Sequence, residues 1–202
     1  MSDTKAIEAL KEALRCLPGV GPKNAQRMAF HLLERDRDGA QNIANALQHA
    51  LGSIRYCERC NTFSEQPLCD ICASPKRDAK TICIVETPAD LDAIEQTASY
   101  SGTYFVLMGA LSPLDGIGPE KLAFDKLYAL IEKETLTEII IATNLTTEGE
   151  TTADYLYAGL EPFGVPMSRL ARGVPIGGEL EYMDQGTVTQ AFRDRKVIKS
   201  IE

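Results

Sequence analysis

The 202-residue chain has no tryptophan, 6% aromatic residues and two histidines. So few flat rings argue against an extended platform on which successive unpaired bases stack. There is no apolar run long enough to span a bilayer, and no charged-then-apolar leader precedes the polar helix that opens at Met1. That pattern predicts a cytoplasmic protein. The G-x-x-x-x-G-K-[ST] cradle is missing, which leaves nucleotide binding unsupported. Surplus positive charge is missing too: the net charge is -8, unlike that of a free-standing basic DNA binder. The balance is uneven, however. Residues 1–56 carry eight Lys or Arg against six Asp or Glu, and the remainder carries thirteen against twenty-three. Contact with phosphate is therefore expected at the front of the chain. A weak basic edge on an acidic body grips only when several copies act together.

What the chain does have is cysteine in a pattern. Cys57, Cys60, Cys69 and Cys72 form two C-x-x-C pairs separated by eight residues, in the run CERCNTFSEQPLCDIC. Each pair presents two thiolates on one small turn, and two such turns supply the four tetrahedral sulfurs of a structural zinc site. Four thiolates leave no open position for water, so such an ion stabilises and does not catalyse. Two disulfides are the alternative, disfavoured in a reducing compartment. A redox C-x-x-C leaves the second pair unexplained. The short spacing predicts a compact site. Cys16 and Cys83 sit in apolar stretches and are expected to be buried thiols.

At the front, Ile7, Leu10, Leu14 and Leu17 recur at helical spacing over residues 3–17. LPGVGPKNAQRMAFHLL follows: Pro18, Gly19 and Gly21 stop the first helix, and Pro22 suits the first turn of a second. Gly19 and Gly21 let backbone N–H groups approach a phosphate, and the next helix N-terminus adds partial positive charge. Lys23 and Arg27 stand one turn apart beside it. The bland reading is a plain αα-hairpin. His31 and His49 are expected to serve surface or packing. A third helix is predicted over 38–54, with Ile43, Leu47, Ala50, Leu51 and Ile54 on one face. Three short helices bury little, so this part is expected to lean on a partner or on the cysteine module.

After ASPKRDAK the pattern changes. Strands are predicted at 81–86, 103–108, 138–143 and 165–171, alternating with helices at 88–98, 120–134 and 151–160. That alternation implies a mostly parallel sheet with right-handed crossovers, whose ligands gather at the carboxyl ends of strands. Glu86 stands at one such end, and Asn144 to Glu150 at another. A glycine-broken stretch, GVPIGGELEY, precedes a last helix capped by Asp184; it is read as a subunit contact, with a nucleotide site unsupported.

Three resemblances follow from these residues. The front resembles the helix-hairpin-helix of DNA-binding and repair proteins, with Pro18, Gly19, Val20, Gly21 and Ala25 on its motif. Such elements bind DNA through phosphates without reading bases. The sheet resembles the Toprim domain of topoisomerases, primases and some nucleases, which holds Mg2+ on a Glu and a D-x-D-x-E-G-E run. Glu86 matches the first position, but Asn144 and Thr146 replace the two aspartates ahead of Glu148, Gly149 and Glu150. Two-metal chemistry needs those carboxylates. The rival reading is a Mg2+-dependent nuclease or primase-like enzyme using Glu86, Glu148 and Glu150; the bland one makes these glutamates helix-terminal charge and solvated surface.

Taken in order, the parts resemble the RecR family of bacterial recombination mediators over essentially the whole chain. The resemblance implies an α/β protein in four parts: a helix-hairpin-helix bundle (1–54), a four-cysteine zinc finger (55–78), a Toprim domain (79–172) and a carboxyl-terminal subunit contact (173–202). It implies one structural Zn2+ and sequence-independent DNA contact by Gly19, Gly21, Lys23 and Arg27. Partner binding falls to the Toprim residues Glu86, Asn144, Thr146 and Glu148. Its partners would be RecO and RecF, and indirectly RecA and single-strand-binding protein. It implies a ring-shaped homotetramer, a cytoplasmic, nucleoid-associated protein and no enzymatic activity. A protein-only scaffold is the third reading, distinguished by the lack of salt-dependent DNA binding.

Overall fold

A computed structural model describes residues 5–195. The chain divides into two compact units, Met1–Ile54 and Arg55–Glu202. The first holds α1 (Lys5–Leu14), α2 (Pro22–Glu34) and α3 (Arg37–Ser53). α1 stops earlier than the apolar spacing predicts. Arg15, Cys16 and Leu17 tighten into bonds to the third residue back, as helix ends do when their last carbonyls lack partners. That turn carries Cys16 off the apolar stripe, and its thiol is exposed, not buried as expected.

α2 opens on Gly21 with Pro22 at its first position, where the missing N–H costs nothing. It packs against both α1 and α3. Ala25 and Ala29, one turn apart, are the fully enclosed side chains described in this unit. Small residues there let the helices approach closely, but they bury little area. Asp36 caps α3, accepting from the Gly39 amide at 2.8 Å. Along α3, Ile43, Leu47 and Leu51 remain 51%, 59% and 86% exposed. This unit does not cover its own apolar stripe.

The second unit begins with an antiparallel ribbon, β1 (Arg55–Tyr56) and β2 (Phe63–Ser64), and a short helix α4 (Asp70–Ala73). There follow β3 (Asp78–Val85), α5 (Pro88–Gln96), β4 (Gly102–Val106), α6 (Phe124–Lys133), β5 (Glu138–Ile141), α7 (Thr147–Leu160), β6 (Met167–Arg169) and α8 (Gln185–Arg193). All pairings in the main sheet are parallel, in the order β4-β3-β5-β6. Alternation along β3 sends Ile82 and Ile84 to one face and Cys83 and Val85 to the other. The first face packs under α6 and α7 with Phe105, Leu127, Ile139 and Leu156. The second packs under α5, with Tyr104, Val106 and Leu91, and reaches Ile71 of the cysteine module. Burial of both faces explains the unbroken apolar run in β5.

Three elements depart from expectation. β3 begins at Asp78, because Asp78 pairs with Gly102 across an irregularity in the register. The helix expected over 120–134 is interrupted after a single turn at Pro119–Lys121 and restarts at Phe124. α7 begins at Thr147, not Thr151: Thr146 caps it by accepting from the Gly149 amide, so the TEGE of NLTTEGE is the first turn of a helix. Glu148 and Glu150 fall in that turn, where the helix dipole favours negative charge. No helix among the described residues is long and apolar enough to cross a membrane.

Candidate metal centre and nucleic-acid interface

The cysteine module is built from two knuckles. In the first, the Asn61 amide bonds to the Cys57 carbonyl at 3.0 Å and the Cys57 amide to that of Thr62 at 2.7 Å. Closing this turn puts Asn61 in the left-handed region, at φ 63°. Asparagine tolerates that conformation better than most residues. In the second, Cys69 precedes α4 and Cys72 lies within it. The four sulfurs lie within 4.8 Å of one another, Cys60 and Cys69 at 3.5 Å. Thiolates held about 2.3 Å from one tetrahedral ion sit at such separations. All four are free thiols, with no disulfide between them. Hydrogen bonds from Cys60 and Cys72 lower the Cys69 thiol, and the same contact with Cys69 raises Cys60. Four sulfurs gathered this closely suit a divalent cation, whose charge offsets their mutual repulsion. The donor set and spacing fit zinc.

The knuckle is locked to the sheet by residues that the cysteine spacing did not single out. Asn61, buried, donates to the Val106 carbonyl at 2.9 Å and accepts from Lys126 of α6 at 3.0 Å. The Cys60 carbonyl accepts from the Val106 amide at 2.9 Å. Arg59 forks onto Glu134, just past the end of α6, at 2.9 and 2.8 Å and bonds Thr103 of β4 at 3.1 Å. The module therefore caps β4, an edge strand of the sheet. Cys83, in β3, is an ordinary buried thiol, pushed up to about 12 by burial.

At the carboxyl ends of β3 and β5, neighbours where the sheet reverses its winding, the structure brings Glu86 and Asn144 together. This is where open parallel sheets place ligands. Glu86 is buried, and both its oxygens are taken by Asn144, from the backbone N–H at 2.8 Å and the side-chain amide at 2.7 Å. Thr146 is engaged as the α7 cap. Glu150 accepts from Arg169 at 3.0 and 3.1 Å and from Arg172 at 2.8 Å. Those two guanidiniums, Arg169 first, hold its carboxyl below the usual range. Glu148 alone of the three glutamates projects freely. The three do not converge; among the described residues, the cysteines form the cluster able to hold an ion. Arg169 and Arg172 were invisible in the motif because they lie on a later strand and loop.

In the first unit, Lys23 and Arg27 are exposed on α2, in a shallow groove shared with Phe30, His31 and Arg35. Gly19, at φ 76°, needs to be glycine for the turn. Gly21 does not: its backbone is extended and an added Cβ meets nothing within 4 Å. The fold leaves open space there for an external group. His31 and His49 are both exposed. Asp184 caps α8 by accepting from the Thr187 amide at 2.9 Å, and Ile176, Leu180 and Tyr182 before it are solvent-exposed.

Four family models match the chain in order. They describe the RecR helix-hairpin-helix at residues 7–51, the RecR zinc finger domain with four cysteines at 54–74, the Toprim domain at 80–171 and the RecR C-terminal region at 173–196. Fold and site together define a zinc-bearing, DNA-binding repair protein built on a Toprim sheet without its aspartates. The chain belongs to the RecR family. It holds one structural zinc, and its role lies in recombinational repair with DNA binding.

Proposed function

We propose that this protein is a recombination mediator that acts by binding, not by catalysis. It works with RecO and RecF to help RecA replace single-strand-binding protein on gapped DNA. The observation that carries the reading is the pairing of Glu86 with Asn144. Where a Toprim enzyme would fix Mg2+, this chain spends its glutamate on an amide. Arg169 and Arg172 similarly occupy Glu150. What remains at the rim is Asn144, Thr146 and the free Glu148, a polar face suited to a protein partner, with Glu86 shaping it from beneath.

In this reading Gly19, Gly21, Lys23 and Arg27 contact DNA phosphates, and the four-part division at residues 54, 78 and 172 is one of function. The bare stripe on α3 and the exposed Ile176, Leu180 and Tyr182 are subunit contacts that close a tetrameric ring in the cytoplasm, on the nucleoid. The test is RecA assembly on gapped DNA coated with single-strand-binding protein, with RecO and RecF present. Addition of this protein speeds assembly, Glu148→Lys slows it without loss of DNA binding, and Glu86→Gln leaves no DNA-cleaving activity to lose. Mg2+-dependent turnover of DNA that disappears in Glu148→Ala would overturn the reading in favour of an enzyme.

A further inference from the structure

The chain is poor in aromatics, yet the cysteine module sets two side by side on its surface. Tyr56 and Phe63 are directly opposed across the β1–β2 ribbon, with ring centroids 5.7 Å apart and planes 25° from parallel. They are 52% and 54% exposed. Lys126 of α6 holds its ammonium 5.6 Å from the Tyr56 ring centre. From there a shallow groove runs between the first knuckle and α6, past Ala129 and Leu130 to Lys133. Neither lysine has a carboxylate partner among the described residues; Glu58 is the one unpaired carboxylate on the rim.

We infer that this groove is a second nucleic-acid site, one that takes unpaired bases: rings of bases stack on Tyr56 and Phe63 while the backbone follows Lys126 and Lys133. The inference rests on the chain's DNA binding but assigns it a surface on the other unit. Stacking needs a flat, accessible, pre-ordered ring. The ribbon supplies that, since its rings are held by cross-strand pairing and by a metal-stapled turn. Lys126 and Lys133 are seven residues apart on one helix, about 10 Å at 1.5 Å per residue, within reach of neighbouring phosphates of an extended strand. Lysine is depleted from protein–protein contact surfaces, which favours a phosphate-bearing occupant over a protein. The groove floor offers a protein little apolar surface, because Phe105 beneath it is 1% exposed.

The test measures affinity of the full-length zinc protein for a short oligothymidylate, for an abasic backbone of the same length, and for a duplex. The variant Tyr56→Leu with Phe63→Leu keeps an apolar cross-strand pair but removes the rings. It is expected to weaken oligothymidylate binding by about tenfold or more, since each stacked base contributes about fivefold or more and both rings are removed. Abasic and duplex binding should not change, nor zinc content. Lys133→Glu, on the open face of α6, should weaken oligothymidylate binding with the ribbon untouched. An iododeoxyuridine-substituted oligonucleotide should photo-cross-link to Tyr56 or Phe63. Unchanged oligothymidylate affinity in both variants, or cross-links confined to residues 19–27, overturns the inference. So does an equal loss on the abasic strand, or a fall in oligomer mass with DNA binding intact, which would make the face a protein contact. None of these results bears on duplex binding by Lys23 and Arg27.

Discussion

Asn61 shows how much one residue can carry. It closes the first knuckle in a left-handed conformation, donates to Val106 and accepts from Lys126. Asn61→Ala loses the side-chain bonds and adds left-handed strain of about 1–2 kcal/mol. Asn61→Gly loses the bonds alone. Glycine should therefore be the milder change, by about 1 kcal/mol in urea unfolding. Equal losses would show that the backbone conformation costs nothing there. The cysteines themselves are less forgiving: Cys57→Ser or Cys69→Ser should abolish stoichiometric zinc and give loosened or insoluble protein, read by metal analysis of the purified chain. Glu150 adds a pH signature. Its pKa is depressed by Arg169 and Arg172, so its contribution is present above the usual carboxylate range and fades as pH falls through the lowered folded value. Against a Glu150→Gln variant, the native protein should lose more Tm on acidification below about pH 4.5. An identical acid limb would mean that the pair is too solvated to matter.

At the scale of elements, Gly149 explains why the loop after β5 can become a helix so abruptly. An added Cβ there would lie 2.1 Å from the Asn144 carbonyl oxygen and 2.7 Å from a Glu86 oxygen. Gly149→Ala must push apart the turn that seats Glu86 on Asn144. It should destabilise by about 1–3 kcal/mol, while Gly159→Ala, where an added Cβ first meets the hydroxyl end of the Tyr128 side chain, tests whether any added methyl on α7 does the same. Strand–helix alternation made the parallel sheet legible, because both its faces are buried and its strands read as apolar runs. Thr146 and Thr147 looked like loop because β-branched polar residues are weak helix formers. Only the cap bond and the packing of Gly149 reveal the earlier start. Arg59 and Arg169 were hidden for a different reason: each acts on a carboxylate far away in sequence, Glu134 and Glu150, and no periodicity signals such a pair. Cys16 departs from its apolar surroundings in sequence because the chain tightens after α1 and leaves the thiol exposed.

The whole molecule is acidic with one modestly basic front, and its front unit leaves the α3 stripe uncovered. Both facts are explained if chains assemble and present several hairpins to one DNA. A single chain offers about two phosphate contacts at Lys23 and Arg27, each adding roughly 0.9 to the log–log salt slope on duplex DNA. Leu47→Glu on the bare stripe should lower the mass in solution and weaken DNA binding together, since the contacts act jointly only in the assembly. The most direct measurement is the affinity for gapped duplex DNA across a salt series, for the native protein and for Lys23→Ala with Arg27→Ala. The account predicts a slope several-fold steeper than one chain can produce. In the double variant most of that slope and most of the binding should disappear, with zinc content and oligomer mass unchanged. A double variant that binds as tightly as the native protein, with the same slope, would show that the hairpin is structural only and that the central claim is wrong.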